Sequence, residues 1–133
     1  MLVKQASDLN LSLVNQMVMH DLARVRHAAL IAAACDHYRV KRDAMLTALK
    51  AHMPSGVRCT RPEGGLFVWV TLPEGVNGAD LLRQAIEEVK VAFVPGGAFF
   101  ADGSGANTIR LSYSLPEPGE IAEGVRRLAS LLD

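Results

Sequence analysis

A surplus of positive charge is missing from this chain: 14 basic residues face 14 acidic ones, and the net charge is zero with histidine neutral. Sequence-independent binding of nucleic acid draws on cations that release counterions from phosphates. Nucleic acid is therefore set aside as a direct partner. Cysteine is scarce as well. Cys35 and Cys59 lack Cys-x-x-Cys spacing, and a disulfide framework or a structural zinc site needs more. Two reduced, buried thiols in a cytoplasmic protein are expected. Long apolar runs are also wanting: none reaches the roughly 20 residues of a spanning helix, which argues against a membrane. The start, Met1-Leu2-Val3-Lys4-Gln5, has no positive region followed by an apolar run, so no signal peptide is expected. Internal repeats and low-complexity tracts are absent too.

What is present describes a globular protein, with 50% hydrophobic and 21% charged residues in 133, enough for one compact domain with its own core. Two helices are predicted at the start. The first covers about 6–24, with Leu9, Leu13, Gln16, Met17 and Leu22 as a loose stripe. The second covers about 25–52, where Leu30, Ile31, Ala34, Tyr38, Met45, Leu46 and Leu49 recur at helical spacing. Arg39, Lys41, Arg42, Asp43 and Lys50 fill its charged side, and Met53-Pro54-Ser55-Gly56 ends it.

The pattern then turns to strands. Gly65 to Leu72 is β-branched and aromatic between two prolines. Leu66, Val68, Val70 and Leu72 face one way, Phe67, Trp69 and Thr71 the other, and both faces are expected to be covered. A short helix at 80–89 should bury Leu81, Leu82, Ala85, Ile86 and Val89. Strands are predicted at 91–94 and 108–114, and a last helix with Ile121, Val125, Leu128 and Leu132 on its buried edge. The order gives an α+β domain: two N-terminal helices, then a small, mainly antiparallel sheet with helices on one face. The open face of the sheet is where function could sit.

In the strand at 108–114 a period of two sends Ile109, Leu111 and Tyr113 to one face and Thr108, Arg110, Ser112 and Ser114 to the other. An arginine in mid-strand among small hydroxyl residues has space in front of it, and its planar fork suits a carboxylate or a phosphate. A solvent-facing arginine on an open sheet is the alternative. Pattern alone goes no further than a possible anion site.

Three motifs in order add to this: Pro62-Glu63-Gly64-Gly65-Leu66-Phe67-Val68-Trp69-Val70, Val91-Ala92-Phe93-Val94-Pro95-Gly96-Gly97-Ala98-Phe99-Phe100, and Ile109-Arg110-Leu111-Ser112-Tyr113-Ser114. Together they resemble the small domain of class I/II (fold type I) pyridoxal-phosphate-dependent aminotransferases. The nearest likeness is to the aminoadipate, kynurenine and broad-specificity aromatic or branched-chain group. Tyr38 to Met45 resembles that family's long helix, and Glu123 to Ala129 its final one.

The resemblance implies a helical segment at 1–24 that would join a large domain, and a C-terminal small domain at 25–133. It implies transfer of an amino group between an amino acid and a 2-oxo acid, with pyridoxal 5'-phosphate held mainly by the large domain. It further implies a cytoplasmic homodimer for the complete enzyme. By the same resemblance Arg110 clamps the substrate α-carboxylate and Phe67 and Phe99 line the substrate pocket, although plain core aromatics would look alike. Gly64 and Gly65 would let backbone approach the substrate, and a turn explains them equally well.

The Schiff-base lysine of the family, in a Ser-x-Ser-Lys stretch followed by Pro-Gly-x-Arg, is absent from these residues. Lys4, Lys41, Lys50 and Lys90 do not resemble it and are expected to be solvated. Lys90 stands where the family often has glycine, and Asn10 where relatives often carry histidine. No catalytic residue is therefore assigned to the chain, which is expected to be inactive alone. Two other readings stay open: the effector domain of an aminotransferase-like transcription regulator, and an inactive amino-acid-binding or interaction module from a truncated gene. In the latter, exposed Leu11, Leu13 and Met17 would invite association. His20, His27, His37 and His52 show no metal-binding spacing, Asp102-Gly103-Ser104-Gly105 lacks the remaining ligands of a calcium loop, and Gly96-Gly97 lacks the lysine of a phosphate loop.

Overall fold

The computed structural model of the chain describes residues 12–132. Lys4, Asn10, Leu11 and the start of the expected first helix lie outside the described residues. The chain divides into two compact units, Met1–Cys35 and Asp36–Asp133.

The two opening helices are one. Helix α1 runs from Leu13 to His52 without a break at residue 24. The physical reason is plain: Leu22-Ala23-Arg24-Val25-Arg26 holds neither proline nor glycine, and nothing else interrupts the hydrogen-bond ladder. Ser12 caps its first turn, its hydroxyl accepting from the Asn15 amide at 3.4 Å. Among the described residues of the first unit, the apolar Leu13, Met17, Leu22, Leu30 and Ile31 are all exposed. Burial begins in the second unit, where Met45, Ala48 and Leu49 are buried and Tyr38 and Leu46 half-buried. Pro54 and the left-handed Gly56 close the helix as expected.

Four short strands follow: β1 (Arg58–Cys59), β2 (Phe67–Thr71), β3 (Val94–Pro95) and β4 (Thr108–Ser112). Their order across the sheet is β1-β2-β4-β3, every neighbour antiparallel. Helix α2 (Gly78–Gln84), capped by the Asn77 side chain, precedes β3, and α3 (Pro118–Ala129) follows β4. One sheet face carries Val68, Val70, Ile109, Leu111 and Tyr113, all buried with Leu81 and Ala85, with Ile121, Val125 and Leu128 of α3, and with the second half of α1. Each fully buried aliphatic side chain contributes roughly 1.5–3 kcal/mol. The core therefore holds the α+β arrangement together, with helices on one side of the sheet.

Several expectations are corrected. The two faces of β2 are covered unequally: Val68 and Val70 are sealed, whereas on the other face Trp69 and Thr71 are half-buried and Phe67 remains 43% exposed. Ile86 is exposed, since the helix widens after Gln84 into a π turn (Ala85–Val89) that shifts the phase of the apolar stripe. Leu132 lies beyond the end of α3 and is half-buried, and Ala129 takes the last buried position. Cys35 and Cys59 are free and exposed rather than buried. Lys41 is not on a solvated face but 4% exposed. Its ammonium donates to the Leu115 carbonyl and the Glu117 carboxylate, each at 3.1 Å, and ties α1 to the start of α3. Lys90 adopts φ 59°, a left-handed conformation that closes the π turn. Such backbone favours glycine, which is a physical account of the glycine expected there.

Candidate functional site

The face of the sheet away from the core is built by alternation. Pairing β2 with β4 sets Trp69 opposite Arg110 and Phe67 opposite Ser112, while β3 brings Val94 to the other side of Arg110. Phe67, Trp69 and Arg110 thus share one face. After β3 the chain turns through a 3-10 segment, Gly96–Phe99, laid directly on β4. A Cβ at Gly96 would stand 1.9 Å from the Thr108 hydroxyl oxygen and 2.8 Å from Cζ2 of Trp69, so only glycine fits. That close approach places Phe99 over Arg110.

The guanidinium carbon of Arg110 lies 4.2 Å from the centroid of the Phe67 ring and 4.7 Å from that of Phe99. Cation–π contacts of this kind contribute about 0.5–1 kcal/mol each where water still reaches, more where it does not. Among the described residues no carboxylate pairs with Arg110, and its Nε is buried without a hydrogen-bond acceptor. A buried donor left unsatisfied costs roughly 1–3 kcal/mol. Arg110 as a whole is half-buried, and the arrangement therefore holds against apolar rings a planar cation with no polar partner among the described residues, chemistry that fits an incoming oxyanion. Beyond Arg110, the hydroxyl of Ser112 at the end of β4 lies 2.9 Å from that of Ser114, just past the strand.

The turn before β2 is fastened on two sides. The Tyr113 hydroxyl donates to the Gly65 carbonyl at 2.8 Å, and the Tyr113 amide to Leu66 at 3.1 Å. From α1, Arg42 reaches the carbonyls of Pro62 and Glu63 while pairing with Asp43 at 2.7 Å. Burial pushes the Tyr113 phenol above its ordinary pKa, opposed by the nearby Arg42. Gly65 has φ +83° with open space where a Cβ would be, so conformation is the reason for glycine there.

All four residues singled out in the sequence lie in or beside this region: Arg110, Phe67 and Phe99 in direct contact, and Gly65 two positions before Phe67. The site residues named from the sequence leave out Trp69 and Phe100; the Trp69 ring stands 5.6 Å from that of Phe99 and 5.9 Å from that of Phe100. The parity Phe67-Trp69 was the available signal. Asp102 forms only a local turn, its carboxylate accepting from the Ser104 amide. Open clefts occur elsewhere, one of about 400 Å³ against Leu49, Lys50 and Cys59, but among the described residues the orphaned buried side-chain donor is that of Arg110.

Residues 11–128 match the family model described as aminotransferase class I and II. The chain belongs to this family. A 2-aminoadipate transaminase of Thermus thermophilus is 49% identical over 129 residues, 97% of this chain and 32% of that protein. An aromatic-amino-acid aminotransferase of Thermococcus litoralis is 47% identical over 73% of this chain and 23% of its own length. Among solved structures, the α-aminoadipate aminotransferase of Thermus thermophilus, complexed with N-(5'-phosphopyridoxyl)-L-leucine, superposes with a TM-score of 0.89 at 48% identity, covering 98% of this chain and 33% of that one. The kynurenine aminotransferase of Pyrococcus horikoshii gives 0.91 at 39% identity, covering 98% and 32%. This aminotransferase chain spans about a third of the length of the two solved relatives.

The described residues do not fit pyridoxal phosphate. Lys41 is committed to Leu115 and Glu117, Lys90 donates to the Glu87 carbonyl, and Lys50 lines the cleft near Cys59. A phosphate cup uses free amides at a helix start, whereas Asn77 occupies those of α2 and Glu120 accepts from the Glu117 amide at α3.

Proposed function

We propose that these residues form the C-terminal small domain of a pyridoxal-phosphate-dependent aminotransferase, with 25–133 as the domain and 1–24 leading to a large domain outside this sequence. In this reading Arg110 holds the α-carboxylate shared by every amino-acid and 2-oxo-acid substrate, so one fixed fork serves both halves of the amino transfer. The observation that carries it is the half-buried Arg110 guanidinium, held against two phenyl rings and without a polar partner among the described residues. Phe67 and Phe99 then wall the pocket beside the carboxylate, and Gly65, left-handed at φ +83°, lets the turn bring the backbone before Phe67 to the edge of the substrate site. The cofactor, held by the large domain, supplies the electron sink for the amino transfer. The chain alone is inactive.

The substrates are of the aminoadipate, aromatic or kynurenine type, in line with the names of its relatives. A cytoplasmic homodimer is the expected assembly of the complete enzyme. A free-standing module is disfavoured by the exposed Leu13 and Met17, and no observation favours a transcription regulator.

The test is Arg110→Ala in the complete enzyme. Loss of a charge-assisted pair worth about 1.5–3 kcal/mol should raise KM roughly 10- to 150-fold for all amino acids alike. A rise confined to one substrate would mean that Arg110 reads a side chain and not the common carboxylate.

A further inference from the structure

We propose that Trp69 is a positioning residue of this site, holding Phe99 over the Arg110 guanidinium and so fixing the direction of its donor edge. The inference rests on the carboxylate-binding reading of Arg110 and deepens it. Arg110 has no polar partner among the described residues, so the rings set its orientation. Phe67 is fixed by its own place in β2, but Phe99 sits on a turn and needs a brace. Trp69 supplies one from both ends of that turn. At the start, its Cζ2 lies against Gly96, where a Cβ would come within 2.8 Å. At the end, the indole meets Phe99 at 5.6 Å between centroids and 80° between planes, an edge-to-face contact, and Phe100 at 5.9 Å and 50°. Trp69 is also the direct strand partner of Arg110.

An ordinary core role does not account for these contacts. The buried cluster takes Val68 and Val70 from the same strand and not Trp69, which is half-buried on the opposite face. The indole thus spends its surface on the turn that carries Phe99.

The experiment is a double-mutant cycle in the complete enzyme: Trp69→Leu, Phe99→Leu and both together, with Arg110→Ala in parallel. Losing the Phe99 contact to the cation should raise KM roughly 2- to 30-fold for all substrates. kcat should be unchanged, because a carboxylate clamp acts equally on substrate and transition state. Trp69→Leu should reach that range, the double variant should be no worse than Phe99→Leu alone, and Trp69→Phe should restore KM. Additive effects, or an unchanged KM in Trp69→Leu, would overturn the proposal. If Arg110→Ala leaves KM untouched, the carboxylate reading itself fails; if it raises KM while the cycle is additive, only the role of Trp69 fails. Should Trp69→Leu not fold, Trp69→Met closes the same cycle, and failure of both to fold would return Trp69 to the core and refute the proposal.

Discussion

Replacing Arg110 by methionine should make the isolated chain more stable while removing its anion site. The buried Nε without an acceptor costs roughly 1–3 kcal/mol, and that cost disappears with the substitution. Against it stand the two cation–π contacts, about 0.5–1 kcal/mol each at a site water still reaches. Methionine recovers part of this, since a thioether against an aromatic ring contributes about 0.3–1.5 kcal/mol. The balance is a gain of about 1 kcal/mol, or about 3–5 °C in Tm for a chain of this length. Thermal melts of both forms, followed by far-UV circular dichroism, read the effect directly. Opposite signs, stability up and carboxylate binding down, mark a residue kept for function. A fall in Tm of similar size would refute the reasoning, because it would mean that Arg110 holds the fold together.

Three further outcomes are expected. Lys41→Ala should destabilise the chain by about 2–3 kcal/mol through lost packing and lost bonds. Lys41→Met should cost less than about 1, because Glu117 is exposed and rehydrates when its partner leaves; urea midpoints separate the two. Gly96→Ala should cost about 3 kcal/mol or more, since its Cβ would overlap the Thr108 side chain, and an unchanged Tm would mean that the turn yields freely. Glu123 is held at a pKa of about 2 by hydrogen bonds from Arg126 and Arg127. Its folded value is depressed, so its contribution is present above the ordinary 4.5 and fades as pH falls toward 2. Glu123→Gln should flatten that part of a low-salt profile of Tm against pH, and an identical slope in both proteins would count against the pairing.

How much of this was legible in the sequence varies with the range of the forces involved. The two faces of β4 were readable because strand period is local: Ile109, Leu111 and Tyr113 separate from Arg110 without reference to the rest of the chain. The continuity of α1 was harder to read, since its apolar stripe drifts and the residues around Arg24 neither favour nor forbid a break. Burial of Lys41 could not be foreseen, because its acceptor on Glu117 lies 76 positions away. The π turn after Gln84 rotated Ile86 outward for reasons that spacing does not encode. At the site itself the candidate residues were named individually, but their meeting depends on the β3–β4 register and on the Gly96 turn, both long-range.

The rings around Arg110 have a consequence at the bench. An arginine paired with an internal acid is already neutralised and ignores its medium. One held by Phe67 and Phe99 keeps its full charge available to whatever anion the solution supplies. On the proposed reading, citrate or phosphate in a buffer would compete with substrate, and two laboratories using different salts would report different apparent affinities for the same protein.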